Sequence, residues 1–510
     1  MKSHEAIPAP PTQSTSESEH MENSLKQLND NRFENVEIEE PVQKILDKLI
    51  KANFEAYIVG GCVRDLIMGR EPHDWDITTN ARPEDVLALF KKSKYENDFG
   101  TVLVPYHDKD KTQVVEVTTY RSEANYDDHR HPSEIKFEDK LEKDLSRRDF
   151  TINAMAMDKD GQIIDYYGGQ EDIQQKIIRA VGDPLERFKE DALRLMRAVR
   201  FSATLGFTIE PQTKEAISKL AESITLVANE RIRDELIKII ASPNPYEGMC
   251  QLHDTKLLQY ILPELEAGYG IPQNRHHIYT IFDHSLLSLK YCPSKDYLVR
   301  LAALFHDIGK PQARKIINGQ ITFYNHEYIS ANLTKNIMTR LRFPKDDINR
   351  VTNLVRNHMF YYNVGEVTEA SVRRLIAKTG EQNLADLIDL RIADRLGSGT
   401  AKAKPYKLRH LEYMFDKVRH DPISVKMLKI NGTDLMKEFN LRPGPQIGAL
   451  LDVLLANVIN DPKLNEPSTL LAMAKPLLNL NLDELRQQAK NIIDEERQTE
   501  DRRIRRQHRV

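Results

Sequence analysis

A chain of 510 residues is long enough for several domains, and its 29% charged and 40% hydrophobic content is that of a soluble protein. No apolar run reaches the length that spans a bilayer. The formal net charge of -4 is not that of a uniformly basic nucleic-acid binder; an acidic metal site can offset a basic groove, so the arginine clusters decide that question.

The opening twenty residues lack both the apolar core of a signal peptide and the arginine richness of an organelle presequence, so the expected location is cytoplasmic by default. Cys62, Cys250 and Cys292 are far apart and form no C-x-x-C, which argues against a disulfide framework or a zinc knuckle. They read as reduced, mostly buried thiols. Residues 1–36, rich in Ser, Pro, Glu and Asn, have the composition of a disordered tail.

From Pro41 to Asn53 the apolar spacing is helical and leads into a short apolar strand at Tyr57. The chain turns on Gly60-Gly61, continues through Arg64-Asp65 into a helix-like segment, and then carries Asp74-Trp75-Asp76 on a second strand. Alternation puts Asp74 and Asp76 on one face, about 7 Å apart along the backbone. Two carboxylates that close repel unless cations sit between them, and the spacing suits two Mg²⁺ ions shared with substrate phosphates. The glycine pair lets backbone approach a triphosphate, whose charge Arg64 can take. Separately, Gly-Gly reads as a turn and D-x-D as a solvated strand end; the ordered unit reads as nucleotidyl transfer.

GGCVRD followed by DWDITT resembles the signature of class II tRNA nucleotidyltransferases and bacterial poly(A) polymerases, members of the DNA polymerase β-like superfamily. The resemblance implies an α+β fold. A small mixed-sheet head at 37–180 would be followed by an all-helical neck at 181–265. An HD domain at 266–400, a helical tRNA-binding domain at 401–485 and a charged tail at 486–510 complete the expected order.

A helix from Arg82 to Lys92 precedes strands at 101–107 and 112–121. On the second, Glu116 shares a face with Val114 and Thr118, which fits a third carboxylate beside Asp74 and Asp76 as well as a solvated edge residue. The resemblance implies the carboxylate. Arg121 to Asp144 is dense in charge and reads as a mobile loop beside an active site, of the kind the family carries where A is added.

DLSRRDFTINAMAMD resembles the family's second motif, making Arg147, Arg148, Asp149 and Asn153 nucleotide-binding candidates. The guanidinium forks suit phosphates or the sugar, and Asn153 suits sugar hydroxyls or a base. A single helix is then expected from Asp183-Pro184 to Gly206. On it Glu190-Asp191-Ala192-Leu193-Arg194 resembles the family's E-D-x-x-R motif, with Arg197 beyond. Asp191 and Arg194, three apart, would share one helical face, either as an i,i+3 salt bridge or as a base reader. Cytosine and adenine both offer an amino group beside a ring-nitrogen acceptor. A carboxylate plus a guanidinium satisfies that edge and mispairs with uracil and guanine. ERIRDELIKII, from Glu230, resembles the family's fifth motif, a helix bracing the neck.

FDHSLLSL, LAALFHDIGKP, YNHEYIS, LVRNHMF and IDLRIADRLG match the HD phosphohydrolase pattern, implying metal ligands at His284, His306, Asp307 and Asp394, with His326 and His358 as further candidates. Imidazole with carboxylate suits Mn²⁺, Fe, Ni²⁺, Co²⁺ or Zn²⁺ and would activate water for phosphoester hydrolysis. Near the end, Pro443-Gly444-Pro445 starts a helix whose free N–H groups could receive an RNA phosphate, or makes a simple turn. RRIRRQHRV has no core pattern and reads as solvated, with auxiliary RNA contact open.

The resemblance covers roughly residues 40 to 475 and implies template-independent rebuilding of CCA on tRNA from CTP and ATP, with no obligate protein partner. Asp74, Asp76 and Glu116 are the catalytic candidates, and Gly60, Gly61, Arg64, Arg147, Arg148, Asp149, Asn153, Asp191, Arg194 and Arg197 the nucleotide-binding ones. Addition of A alone, poly(A) synthesis, a chiefly phosphohydrolytic role, and an RNA-binding protein with a vestigial head are the alternatives.

Overall fold

The computed structural model describes residues 38–96, 100–108, 111–124, 134–273, 278–317, 320–360, 362–363, 367–400, 404–418 and 424–492. The expected N-terminal tail, 1–36, lies outside that range, as does all of the expected charged tail except 486–492. The chain divides into two compact units, Met1–Glu266 and Ala267–Val510. Among the described residues no helix is long and apolar enough to cross a membrane.

In the first unit, helix α1 (Glu40–Lys51) places Val42, Ile45, Leu46 and Leu49 in the core, the i, i+3, i+4, i+7 spacing that predicted it. It leads into β1 (Ala56–Val59), then α2 (Gly61–Ile67), β2 (Asp76–Thr79), α3 (Pro83–Leu89), β3 (Lys94–Tyr95), β4 (Thr101–Asp108) and β5 (Lys111–Thr119). After β6 (Arg121–Ala124), β7 (Glu134–Phe137) and α4 (Leu141–Ser146) come β8 (Met155–Met157) and β9 (Ile163–Asp165). One mixed sheet runs β3-β4-β5-β2-β1-β8-β9. Ile58 of β1 and Ile77 of β2, opposite each other in the antiparallel register, are both fully buried. Their burial in the middle of the sheet fixes which side chains of β2 face out, because a one-residue slip would expose them.

Two expectations change here. The stretch from Arg121 to Asp144 is not one loop: β6 and β7 pair antiparallel, Arg121 opposite Phe137, and α4 follows. Its centre, residues 125–133, lies outside the described residues. The helix expected from Asp183 to Gly206 is two, α5 (Pro184–Glu190) and α6 (Leu193–Leu205). Asp191 breaks it with extended backbone at φ -139° and ψ 106°. Its carboxylate accepts from Leu193 N at 3.0 Å and its carbonyl from Arg194 N at 3.0 Å, so it starts α6 in the way an N-cap aspartate does. Gly206 ends α6 in the left-handed region at φ 72°. Helix α7 (Asn229–Ala241) contains the ERIRDELIKII run.

The second unit is helical apart from a short hairpin, Lys315–Ile317 with Gln320–Thr322. Helices α8 (Ile281–Lys290), α9 (Tyr297–Phe305), α10 (His326–Arg340) and α11 (Lys345–Asn357) are followed by α12 (Glu369–Thr379), α13 (Leu384–Gly397) and α14 (Tyr406–Val418). Helices α15 (Gly432–Phe439), α16 (Pro445–Asn460) and α17 (Pro467–Leu477) then build a separate core around Leu435, Leu450, Leu454 and Leu470. Pro445 occupies the first turn of α16, as the Pro-Gly-Pro spacing predicts. The buried Arg373 of α12 donates to the Ile459 carbonyl at 2.8 Å, satisfying an orphan acceptor at the end of α16. Cys62 and Cys292 are buried free thiols, while Cys250 is only half-buried.

Candidate active site and a buried metal-ligand cluster

Asp76 opens β2, and its register partner on the parallel strand β5 is Glu116. Asp74 lies two residues ahead of the strand rather than in it, a correction to the expected β segment. The alternation nevertheless holds. Asp74, Asp76 and Glu116 line one cleft of 750 Å³ together with Glu96. Trp75, between them, is 3% exposed and donates its indole N–H to Glu39 Oε1 at 3.0 Å. Tyr106 donates to the other Glu39 oxygen at 3.2 Å, so Glu39 anchors the segment between the two aspartates. Nothing in the sequence singled out Glu39, which precedes the first helix.

Burial raises the Asp76 carboxyl above its ordinary value, opposed by the Arg148 charge and reinforced by Asp74. Burial, then the charges of Asp76, Glu96 and Asp74, push Glu116 up to about 7. Carboxylates gathered against their own repulsion form a hard-oxygen site that a divalent cation relieves, and this donor set fits Mg²⁺.

Gly60, at φ 89° and ψ -134°, joins β1 to α2 directly under this cleft. A Cβ there would stand 2.9 Å from Arg148 Nη1 and 3.6 Å from Asp76 Oδ2, so only glycine allows the close approach. Gly61 begins α2. Its Arg64 donates through Nη1 to Asn153 Oδ1 at 2.7 Å and through Nε and Nη2 to Asp65. Asn153 in turn lies 3.4 Å from Asp149 Oδ1, and the other Asp149 oxygen accepts from Arg197 at 2.6 Å. Arg147 and Arg148 both reach the fully buried Asp144, at 2.8 and 3.5 Å. Asp144 also accepts from Thr78 of β2 at 3.1 Å, tying the arginine pair to the strand that carries Asp76. The Nε of Arg148 is buried with no partner among the described residues. Asp144, where the expected loop meets the second motif, was not among the expected site residues.

Asp191 and Arg194 do not share one helical face as expected, because the helix breaks at Asp191, and the alternative i,i+3 salt bridge between them is not formed. Arg231 of α7 grips Asp191 instead, Nη2 to Oδ2 at 2.8 Å and Nη1 to Oδ1 at 3.3 Å. Arg194 donates to the carbonyls of Arg187 and Arg147, each at 3.0 Å, and pairs with Glu190. The motif thus joins α5, α6 and α7 around two anchored charges. Beneath them, the guanidinium carbons of Arg64, Arg197 and Arg200 lie 5.3, 5.4 and 3.5 Å from the Phe201 ring centre. Phe201 was not predicted; its signal, an aromatic among arginines spaced along α6, looks like ordinary core.

In the second unit, His284, His306, Asp307, His326, His358 and Asp394 lie together. His306 and Asp307 stand at and just beyond the end of α9 rather than inside a helix, which frees both to turn inward. His284 Nε2 lies 3.0 Å from His306 Nε2, 3.1 Å from Asp307 Oδ2 and 3.4 Å from Asp394 Oδ1. On the other Asp307 oxygen, His326 Nε2 is at 3.1 Å and His358 Nε2 at 3.7 Å. The Nδ1 atoms of His306, His326 and His358 sit 2.8, 2.8 and 2.7 Å from the carbonyls of Ala303, Phe323 and Val355. A carbonyl only accepts, so each Nδ1 carries a proton, which leaves Nε2 as the lone-pair atom of the neutral ring, the form that binds metals. Ligand atoms of two triads, His284/His306/Asp307 and Asp307/His326/His358, already lie within 4.8 Å of one another. Burial works against charge on His284, yet the hydrogen bonds of Asp307 and Asp394 raise it to about 9. A pocket of 490 Å³ opens onto Asp307, His326, His358 and Asp394, with Arg391 and Arg395 in its wall.

Residues 56–179 match the family of the poly(A) polymerase head domain, residues 206–268 that of the RNA- and SrmB-binding site of polymerase A, and residues 323–474 that of tRNA nucleotidyltransferase domain 2. The CCA-adding enzyme of Ligilactobacillus salivarius is 34% identical over 438 residues, 85% of this chain and 95% of that one. The CCA-adding enzyme of Leuconostoc citreum is 35% identical over 439 residues, 86% and 96% of the two chains. Among solved structures, the Bacillus stearothermophilus CCA-adding enzyme in complex with CTP superposes with a TM-score of 0.65 at 27% identity, covering 86% of this chain and 98% of that one. With two relatives above 30% identity over nearly their whole length, this chain belongs to the family of CCA-adding enzymes.

Proposed function

We propose that the protein rebuilds the 3′-terminal CCA of tRNA without a template, using CTP and ATP and releasing pyrophosphate. The observation that carries the reading is the register of Asp76 against Glu116 beside Asp74, directly over the glycine turn at Gly60. Divalent cations held by Asp74 and Asp76, for which Mg²⁺ is the fitting choice, would supply charge neutralisation to the reacting phosphate. The chain's own groups do the rest. Gly60 admits the triphosphate to the backbone, and Arg148 and Arg64 offset its charge. Asn153, fixed between Arg64 and Asp149, is placed to meet the sugar.

Base choice falls to Asp191 and Arg194. Arg231 orients the first, and Glu190 with the Arg147 carbonyl orients the second, so neither must be ordered when a nucleotide arrives. A carboxylate keeps lone pairs for an amino hydrogen while bound to one guanidinium. CTP and ATP satisfy the pair, whereas UTP and GTP leave it mispaired.

The test offers tRNA ending before CCA, in C and in CC, with each triphosphate alone. CTP use on the first two ends and ATP use on the third supports full CCA synthesis. ATP use on the third end alone marks an A-adding enzyme, and long A tails a poly(A) polymerase.

A second activity is favoured by the three histidines whose Nδ1 atoms are all committed to carbonyls. We infer a metal-dependent phosphohydrolase in the second unit, with Mn²⁺, Ni²⁺, Co²⁺ or Zn²⁺ suited to the mixed imidazole and carboxylate set. Arg391 and Arg395 give its pocket the charge to hold a phosphoester, such as a 3′-phosphorylated or 2′,3′-cyclic RNA end. Comparing wild type with His306→Ala plus Asp307→Ala on such ends, across these metals, tests it; equal hydrolysis by both proteins would contradict it.

A further inference from the structure

Helix α14 buries Leu408, Leu411, Met414, Phe415 and Val418 in the core it shares with Val372 and Ile376 of α12. On the opposite side Tyr406, His410 and Tyr413 recur at i, i+4 and i+7, a continuous stripe along the helix. Their ring centres are 5.9 and 5.8 Å apart. Tyr362 closes on the middle of the stripe, its ring centre 6.0 Å from that of His410 and its hydroxyl 2.5 Å from His410 Nδ1. The ladder is therefore held in place, yet Tyr406 is 62% and Tyr413 57% exposed. Rings fixed at this cost in exposed apolar surface mark a surface that something covers.

The charge around the stripe narrows what that is. Between Lys404 and Val418 four lysines or arginines stand against two carboxylates. Lys407 and Arg409, one on each side of the stripe, are exposed and pair with no acid among the described residues. Glu412 and Asp416 lie instead along a neighbouring groove with Glu381. Rings with open faces, flanked by free cations, complement a polyanion that carries flat apolar bases. A duplex keeps its bases stacked on each other, so the bases that reach such rings are unpaired ones.

We propose that the Tyr406–His410–Tyr413 stripe is a stacking platform for unpaired bases of the RNA substrate, with Lys407 and Arg409 on the adjoining phosphates. It is a binding surface in a different unit of the chain from the transfer site, and it rests on the tRNA reading above.

The experiment uses the full chain. Affinity for tRNA lacking CCA is measured for wild type, Tyr406→Ala plus Tyr413→Ala, Tyr406→Trp plus Tyr413→Trp, and Lys407→Ala plus Arg409→Ala, with a single-stranded RNA oligonucleotide as a second probe. Circular-dichroism melts check folding. The alanine pair should weaken binding of both probes by roughly tenfold or more, while the rate of CTP addition at saturating tRNA stays unchanged. The tryptophan pair should keep the affinity, and Lys407→Ala plus Arg409→Ala should flatten its salt dependence. Unchanged affinity in a folded alanine pair overturns the platform. So does a wild-type dimer that the alanine pair converts to monomer, since a second copy then covers the stripe. Failure of wild type to bind or extend tRNA contradicts the tRNA reading instead, and the oligonucleotide arm still decides the platform.

Discussion

Arg231 holds Asp191 across forty residues of sequence, with Nη2 2.8 Å from Oδ2 and Nη1 3.3 Å from Oδ1. The carboxylate expected to read a base is thus oriented by a second helix and not by Arg194. Asp191→Ala should lower the preference for CTP and ATP over UTP and GTP by about one to two orders of magnitude, the worth of a hydrogen bond to a charged group. Arg231→Ala leaves the carboxylate present but unaimed, so it should reduce selectivity less and in the same direction. Single-turnover addition with all four triphosphates reads both effects. Unchanged nucleotide ratios in folded variants would return Asp191 to a purely capping role.

Gly60→Ala adds a methyl group 2.9 Å from Arg148 at a positive φ. The backbone strain alone costs about 1–3 kcal/mol, and the displaced Arg148 leaves Asp76 without its nearby cation. Nucleotide addition should fall by tenfold or more with a modest drop in melting temperature. Addition at the wild-type rate would show that the triphosphate does not pass over this turn.

Asp149 provides a pH signature. Burial would raise its carboxyl, but the charges of Arg197 and Arg194 hold it down to about 2. Its folded value lies below the unfolded one, so its stabilisation is complete above about pH 4 and is lost as pH falls toward 2. That contribution is about 2 kcal/mol. Asp149→Asn should lower the melting temperature at pH 7, and the gap to wild type should close on acidification. A gap constant from pH 7 to pH 3 would contradict the ion pair with Arg197.

The histidine cluster predicts stabilisation by metal independent of any substrate. Added Mn²⁺, Ni²⁺, Co²⁺ or Zn²⁺ at a hundred times its Kd should stabilise the second unit by about 2.7 kcal/mol. His306→Ala plus Asp307→Ala should abolish the rise in melting temperature, and a chelator should reverse it in wild type. A rise that survives the double substitution would locate the metal elsewhere.

The residues that were legible in the sequence are those whose chemistry is local. Gly60-Gly61 and Asp74-x-Asp76 each form a short pattern whose spacing already implies a turn or a shared face, while His306-Asp307 stood out only through the resemblance to the HD pattern. Partners distant in sequence were not legible. Arg231 sat in a helix that read as a brace, and Asp144, at the seam between the expected loop and the second motif, was given no role although it is the buried anchor for Arg147 and Arg148. The break at Asp191 escaped because Glu190-Asp191-Ala192 carries no glycine or proline; only a capping aspartate marks it. The strands at Arg121–Ala124 and Glu134–Phe137 are too polar for an alternating pattern to declare them.

The central claim is that Asp74 and Asp76 carry template-free CCA addition, and it is tested most directly by product analysis on tRNA lacking CCA. Wild type supplied with CTP, ATP and Mg²⁺ should add C, C and A and then stop. Asp74→Ala and Asp76→Ala should bind the same tRNA with nearly unchanged affinity and add nothing measurable. Turnover near wild type in either variant, or uptake of ATP without CTP, would contradict the account.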